Sequence, residues 1–195
     1  MAVRPTRPAL RERFDRRQEA LVAAAAREFA HRGYDQTTMQ ELAASLGVAT
    51  GALYHYFAAK EQLLRAICDQ LMEPLLESAQ ALVAVEAEPA DRLRALVRLW
   101  VAHVCAHRDH MVVFQQERHV IESGPQWRGV RDSRKAFERL LADVLADLDG
   151  LRVDADLSLR ALLSMVNYTA SWYRPRGALR PEQIADGYVE LLLGR

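Results

Sequence analysis

A chain of 195 residues, half of them hydrophobic, has enough apolar material for a packed core and too much for a disordered polymer. Its 26 basic and 26 acidic residues cancel, yet residues 1 to 17 hold six arginines against Glu12 and Asp15, so a basic arm precedes a slightly acidic body and points to a polyanionic partner at one end. The two cysteines, Cys68 and Cys105, stand alone without metal or redox spacing, and no apolar run reaches the roughly 18 residues of a membrane span, which suits a cytoplasmic protein without disulfides or export signal.

Apolar residues recur at threes and fours and no alternating β-branched run of strand length appears, so the chain is expected to be all-α, with about nine helices. Residues 1 to 10 read as a disordered basic arm. The first helix is predicted from Arg11 to Arg32, with Phe14, Leu21, Ala25 and Phe29 near one face and Gly33 as its stop. Arg13 and Arg17 are the candidate anion contacts on it. Thr37 or Thr38 caps a second helix, Thr38 to Leu46, and Glu41 completes a capping box with Thr38. Gly47 ends that helix, a third covers Thr50 to Tyr56, and a fourth starts near Lys60 with a kink or break expected at Pro74. Further helices are expected at Asp91–His107, Asp109–Glu122, Gln126–Leu148, Asp154–Tyr173 and Pro181–Leu193. The seam between an N-terminal unit (residues 11–64) and a larger helical body (65–195) falls within the fourth helix, without a flexible linker.

The stretch from Thr38 to Phe57 fits two short helices packed through a tight turn. Ala43 supplies a small residue at the crossing, Gly47 tolerates positive φ, and Leu42, Leu46, Val48 and Leu53 lock the inner faces. The outer face of the third helix then displays Ala49, Thr50, Ala52 and His55. Small residues there permit close backbone approach, and the helix start favours an anion. Tyr54, His55, Tyr56 and Phe57 are consecutive rings that no single helix face can bury. Tyr56 and Phe57 are expected inward against the first helix near Phe29. Tyr54 and His55 are expected outward, where a phenol donates to phosphate and an imidazole reaches a base edge, with Lys60 a point charge beside them.

The run AAREFAHRGYDQTTMQELAASLGV followed by ATGALYHYFAAKEQLL resembles the DNA-binding domain of TetR-family transcriptional regulators over about residues 14 to 64. Ala49-Thr50 stands where that family commonly has Ser or Lys. The resemblance implies that Thr38 contacts phosphate, that Thr50, Gly51 and His55 lie in the major groove, and that Tyr54 and Lys60 grip the backbone. It also implies a homodimer on a palindromic operator, with two recognition helices about 34–36 Å apart.

In the body, the last two helices are the dimer candidates, through Leu159, Leu162, Leu163 and Val166 on one and Ile184, Tyr188, Leu191 and Leu192 on the other. NYTASWYRPRGALRPEQIADGYVELLL resembles the C-terminal segment of a TetR subgroup that includes regulators of fatty-acid and steroid-ring degradation responding to acyl-coenzyme A thioesters. Trp172 and Arg174 either line a pocket mouth, stacking adenine or pairing with phosphate, or are architectural with Pro175 and Gly177. Trp100, Met111, Phe114 and Arg118 fit an apolar tunnel with a cationic end, or a plain core. His103, His107 and Tyr168 complete the candidate effector set. His103, His107 and His110 recur at one-face spacing, but the expected break near Arg108 makes them polar pocket or surface residues rather than a zinc site, so no metal and no cofactor is expected. No Gly-rich phosphate loop, H-E-x-x-H or G-x-S-x-G occurs, so an enzyme is not expected. The sequence reads as a repressor released by a small effector, an acyl-CoA or related lipid or steroid catabolite. A multidrug-type sensor and a helical interaction protein without DNA binding are the alternatives.

Overall fold

The computed structural model describes residues 8–85 and 88–194, which form ten α-helices and no strand. The first, α1 (Pro8–Arg32), begins three residues earlier than expected, because proline is preorganised for a first helical turn. Most of the expected disordered arm, residues 1–7, lies outside the described residues. Gly33 closes α1 at φ +87°, its N–H donating to the Phe29 carbonyl at 2.8 Å. Thr37 Oγ1 donates to the Gly33 carbonyl at 2.8 Å, which leaves Thr38 to cap α2 (Met39–Ser45). The capping box is complete: Glu41 N–H donates to Thr38 Oγ1 at 3.2 Å and Thr38 N–H to Glu41 Oε2 at 2.9 Å. Gly47, at φ +64°, turns the chain into α3 (Thr50–Tyr56). Leu42, Ala43, Leu53 and Phe57 are buried, so α2 and α3 cross over the small side chain where a larger one has no room.

The next helix, α4 (Lys60–Val83), runs through Pro74 as one helix, so of the kink or break expected there the break does not occur. The missing N–H at Pro74 removes one helical bond to the Gln70 carbonyl, a cost of about 3 kcal/mol. Leu71, Met72 and Leu75, buried on both sides of the proline, contribute about 1.5–3 kcal/mol each and keep the helix whole.

Beyond it come α5 (Pro89–Ala106), α6 (Arg108–Gln116) and α7 (Arg118–Ser123). The helix expected over 109–122 is thus two helices, broken at Glu117. That residue departs from helical dihedrals at φ −94° and ψ 14°; its N–H donates to the Val113 carbonyl, and its own carbonyl accepts from Val120 and Ile121. A 3₁₀ turn (Pro125–Trp127) leads into α8 (Arg128–Ala146), followed by α9 (Ala155–Trp172) and α10 (Pro181–Leu193). Asp154 caps α9 by accepting from Leu157 N–H at 2.8 Å.

The long α4 packs against α1, α5, α6 and α8, so it touches both ends of the fold. α10 lies chiefly on α5 rather than on α9, and Arg98 pins it by donating twice to Asp186, both bonds 2.7 Å. No described helix is long and apolar enough to cross a membrane.

Ala43→Leu is expected to lower stability by about 1–3 kcal/mol by overpacking the α2–α3 crossing. Thermal unfolding measures it, and an unchanged midpoint would mean that the crossing has space to spare.

Candidate nucleic-acid interface and effector cavity

Along α3, Leu53 is the anchor: it and Phe57 are buried, which turns Gly51, Ala52, Tyr54 and His55 to solvent and leaves Thr50 half-buried. Ala49 stands exposed before the helix as a cap without a side-chain bond. Tyr54 is 46 % exposed, as expected for an outward phenol. Tyr56 meets α1 as expected, though at Phe14 and not near Phe29. It is half-buried and stacks on Phe14 at a centroid distance of 4.7 Å, while Phe29 packs on Tyr34 instead. The His55 ring meets the same Phe14 edge-on at 6.1 Å. Phe14 therefore joins α3 to α1, on which Arg13 and Arg17 are exposed.

Two expected phosphate contacts are already engaged within the protein. Thr38 gives both its N–H and its hydroxyl hydrogen to Glu41 Oε2, the latter at 2.7 Å, so it has no donor left for a phosphate. Those bonds hold the Glu41 carboxyl below the usual carboxylate range. Lys60 donates to the Tyr34 carbonyl at 2.8 Å and its ammonium lies 4.2 Å from the centre of the Tyr34 ring. An ammonium has three donors, so two remain for DNA. Burial, then Glu61, Glu117 and Asp35, push the Tyr34 hydroxyl up to about 12.

The candidate effector residues separate into three places. Trp100, Met111, Phe114 and Arg118 meet around one internal cavity of about 30 Å³, with Leu163 and Phe137 opposite them. That volume admits a water molecule or two and no acyl chain. Sequence reasoning missed its polar wall: Arg134 donates to Glu138 at 2.6 Å and to Glu122 at 3.0 Å, and its buried Nε has no partner. The Arg134–Glu138 spacing was legible as an i, i+4 pair but not as a lining.

His103 and His107 stand elsewhere, against α4. His103 Nε2 donates to the Leu71 carbonyl at 2.8 Å, and His110 Nε2 lies 3.3 Å from Gln70 Oε1. The His107 ring sits between them, 4.4 Å from His103 and 5.4 Å from His110. Burial lowers all three imidazoles, His110 to about 4. Among the described residues no group of three His, Cys, Asp or Glu side chains is arranged to hold a metal ion.

Tyr168, 65 % exposed, and Trp172 project outward from α9, away from the cavity. Arg174 joins Trp172, Tyr173 and Leu179 in a surface groove of about 220 Å³ beyond the helix end. The candidate dimer residues are redistributed as well. Leu162, Val166, Ile184 and Leu192 are buried within this chain, so they cannot meet a second copy. Leu163 lines the cavity, Leu159 is half-buried, and Tyr188 is tied to Thr169 Oγ1 at 2.9 Å. Leu191, 61 % exposed, is left free on α10, and Leu157, Tyr168 and Trp172 form the exposed apolar row on α9. An apolar face of a helix is visible in sequence; which neighbour covers it is not.

A capped α2, a positive-φ glycine and an α3 with small residues turned outward define a helix-turn-helix DNA-binding protein. The family comparisons agree: residues 21–67 match the family described as bacterial regulatory proteins, tetR family, and residues 86–195 match the Tetracyclin repressor-like C-terminal domain. The chain belongs to the TetR family of DNA-binding transcriptional regulators, which is not a family of enzymes. Among curated proteins it is 30 % identical over 186 residues to the HTH-type transcriptional repressor KstR2 of Mycobacterium tuberculosis, with 92 % of each chain covered. The solved structure of that ketosteroid transcriptional regulator matches with a TM-score of 0.84 at 29 % identity, over 91 % of this chain and 93 % of that one. AibR in complex with isovaleryl coenzyme A and operator DNA matches at 32 % identity and a TM-score of 0.76, over 91 % and 98 %.

The histidine cluster gives a pH dependence. His110 titrates near 6.5 when unfolded and near 4 when folded, so folding favours the neutral ring. Its contribution to stability is full above the unfolded value, falls as pH drops from 6.5 towards 4, and is flat below. Denaturant titrations from neutral pH to pH 4 should show that fall, to which the lowered His103 and His107 also contribute, and His110→Gln should make it shallower; an identical slope in the variant would remove His110 as a cause.

Proposed function

We propose that this protein is a homodimeric repressor that binds a palindromic operator through α3 and is released by an acyl-CoA thioester or a related lipid or steroid catabolite. Residues 11–64 are the reader and 65–195 the effector-binding and dimerising part, acting in the cytoplasm where the DNA is. The observation that carries the effector class is the likeness, over nine-tenths of the chain, to a regulator solved with isovaleryl coenzyme A and operator DNA. The likeness to the KstR2 repressor over the same span supports the repressor mode.

The chemistry of the cavity agrees with that class. Trp100, Met111 and Phe114 offer an apolar wall to an acyl group, and Arg118 and Arg134 offer cations to the polar end. Trp172 and Arg174 suit the coenzyme's adenine and phosphates from the outer groove. A cavity of about 30 Å³ is closed to such a guest, so binding selects a conformer in which α6 and α7 have moved. That conformer must hold DNA less well; a coupling of about 1–3 kcal/mol weakens operator binding several-fold to a hundredfold. The exposed Leu157, Tyr168 and Leu191 offer apolar surface to the second copy.

A panel of acyl-CoA thioesters of graded chain length should contain members that raise the melting temperature by several degrees and release the operator. If no chain length stabilises the protein, the effector class is wrong. Arg13→Ala and Arg17→Ala should each weaken operator binding and make its salt dependence shallower by about one unit of slope. An unchanged slope for both would take α1 off the phosphate backbone.

A further inference from the structure

From Pro8 to Ala20 no side chain of α1 is buried, and only Phe14, Asp15 and Gln18 are half-buried. This half of the helix lies ahead of the matched residues 21–67, so its packing is not dictated by the family motif. Phe14 is where it meets α3. The ring stacks on Tyr56 at 4.7 Å with the planes 29° apart, and it meets the His55 ring edge-on at 6.1 Å and 82°. His55 and Tyr56 are themselves edge-on at 5.6 Å. The three rings form a closed triangle in which every pair has an attractive arrangement.

Within that triangle the two residues of α3 differ: Tyr56 is half-buried and His55 is exposed. The imidazole is held by its two ring contacts, and among the described residues neither of its nitrogens is engaged in a hydrogen bond. A neutral imidazole carries one donor and one acceptor. A purine edge in the major groove presents N7 as an acceptor, within reach of such a donor on a reading helix. An exposed side chain otherwise samples several rotamers, and freezing it on binding costs affinity. The phenyl ring has no hydrogen-bonding group and selects no base itself; what it supplies is order in the neighbour that can.

We infer that Phe14 is a positioning residue for sequence reading: it holds the His55 imidazole in one orientation, so that one base position in each operator half-site is discriminated. The inference rests on the reading of α3 as the operator-binding helix. Phe14→Leu keeps apolar bulk against Tyr56 but offers His55 no ring, so α3 stays attached to α1 while the imidazole is released.

The test separates order in His55 from attachment of α3. Duplexes selected from random DNA by the full-length parent define the operator, and affinity is then measured for it and for each single-base change. The proteins are the parent, Phe14→Leu, Phe14→Tyr, His55→Ala and the double variant Phe14→Leu/His55→Ala, each with its melting temperature. Phe14→Met replaces Phe14→Leu if that variant does not fold. His55→Ala is expected to flatten the base preference at one position of each half-site. Phe14→Leu should bind the operator about three- to tenfold more weakly and flatten that same position alone, whereas Phe14→Tyr, which keeps a ring, should retain the preference. In the His55→Ala background Phe14→Leu should cost less than about twofold. An equal loss for every duplex, with all preferences intact, overturns the inference, because Phe14 then only attaches α3 to α1. An equal loss with and without His55 overturns it too. A His55→Ala variant that keeps every preference removes the base contact and the inference with it, while leaving α3 on the operator. A parent that selects no duplex sinks the operator-binding reading itself, and the inference falls with it.

Discussion

Eight side chains along α4, from Leu63 to Ala79, are shut away from water, and they face four different helices. Each of the larger ones contributes about 1.5–3 kcal/mol by burial, so neither the reader nor the body can leave α4 without exposing part of this stripe. Leu63 and Leu64 lie near its start, while Met72 and Leu75 line the cavity. One continuous helix therefore packs against both α1 of the reader and the helices around the cavity. A change of its position is felt in both, which is the physical requirement for a ligand-controlled DNA reader.

Around that helix, polar contacts decide the finer arrangement. Lys60 tied to Tyr34, Thr38 closed on Glu41 and His103 bonded to the Leu71 carbonyl each fix a loop or a helix end to its neighbour. Groups that look from sequence like free hands for a ligand are partly occupied in holding the protein. The same is true of Arg134, which bridges α7 and α8 through Glu122 and Glu138 beside the cavity. What stays available for the proposed DNA contacts is the small-residue side of α3, Tyr54, His55, the spare donors of Lys60 and the arginines of α1.

What could be read from sequence was what neighbouring residues determine among themselves. The α2–α3 unit was legible because Thr38 with Glu41, Ala43 and Gly47 impose it within about ten residues. The break at Glu117 was not, since no proline or glycine marks it. Helical propensity there gave way to tertiary packing. The apolar rows of α9 and α10 were visible, yet Leu162, Val166, Ile184 and Leu192 turned out to be covered by the chain's own helices and Leu157, Tyr168 and Trp172 were not. The candidate effector residues scattered for the same reason, because a tryptophan buried in the core and one exposed at a helix end have the same letter. Pro74 shows the converse: of the kink or break that the local rule allows, the break was overridden by the stripe on which it lies.

Pro74 has a mechanical side. The backbone bond it deletes is the one that would have ended on the Gln70 carbonyl, and the Gln70 side chain faces His110 of α6. A helix with a missing rung is less stiff in bending at that level than above or below it. α4 is then a beam with one compliant section, placed beside the helix that borders the cavity. A push from α6 at that height is expressed as a change in the angle between the two ends of α4, multiplied by the length of the arm that carries Lys60.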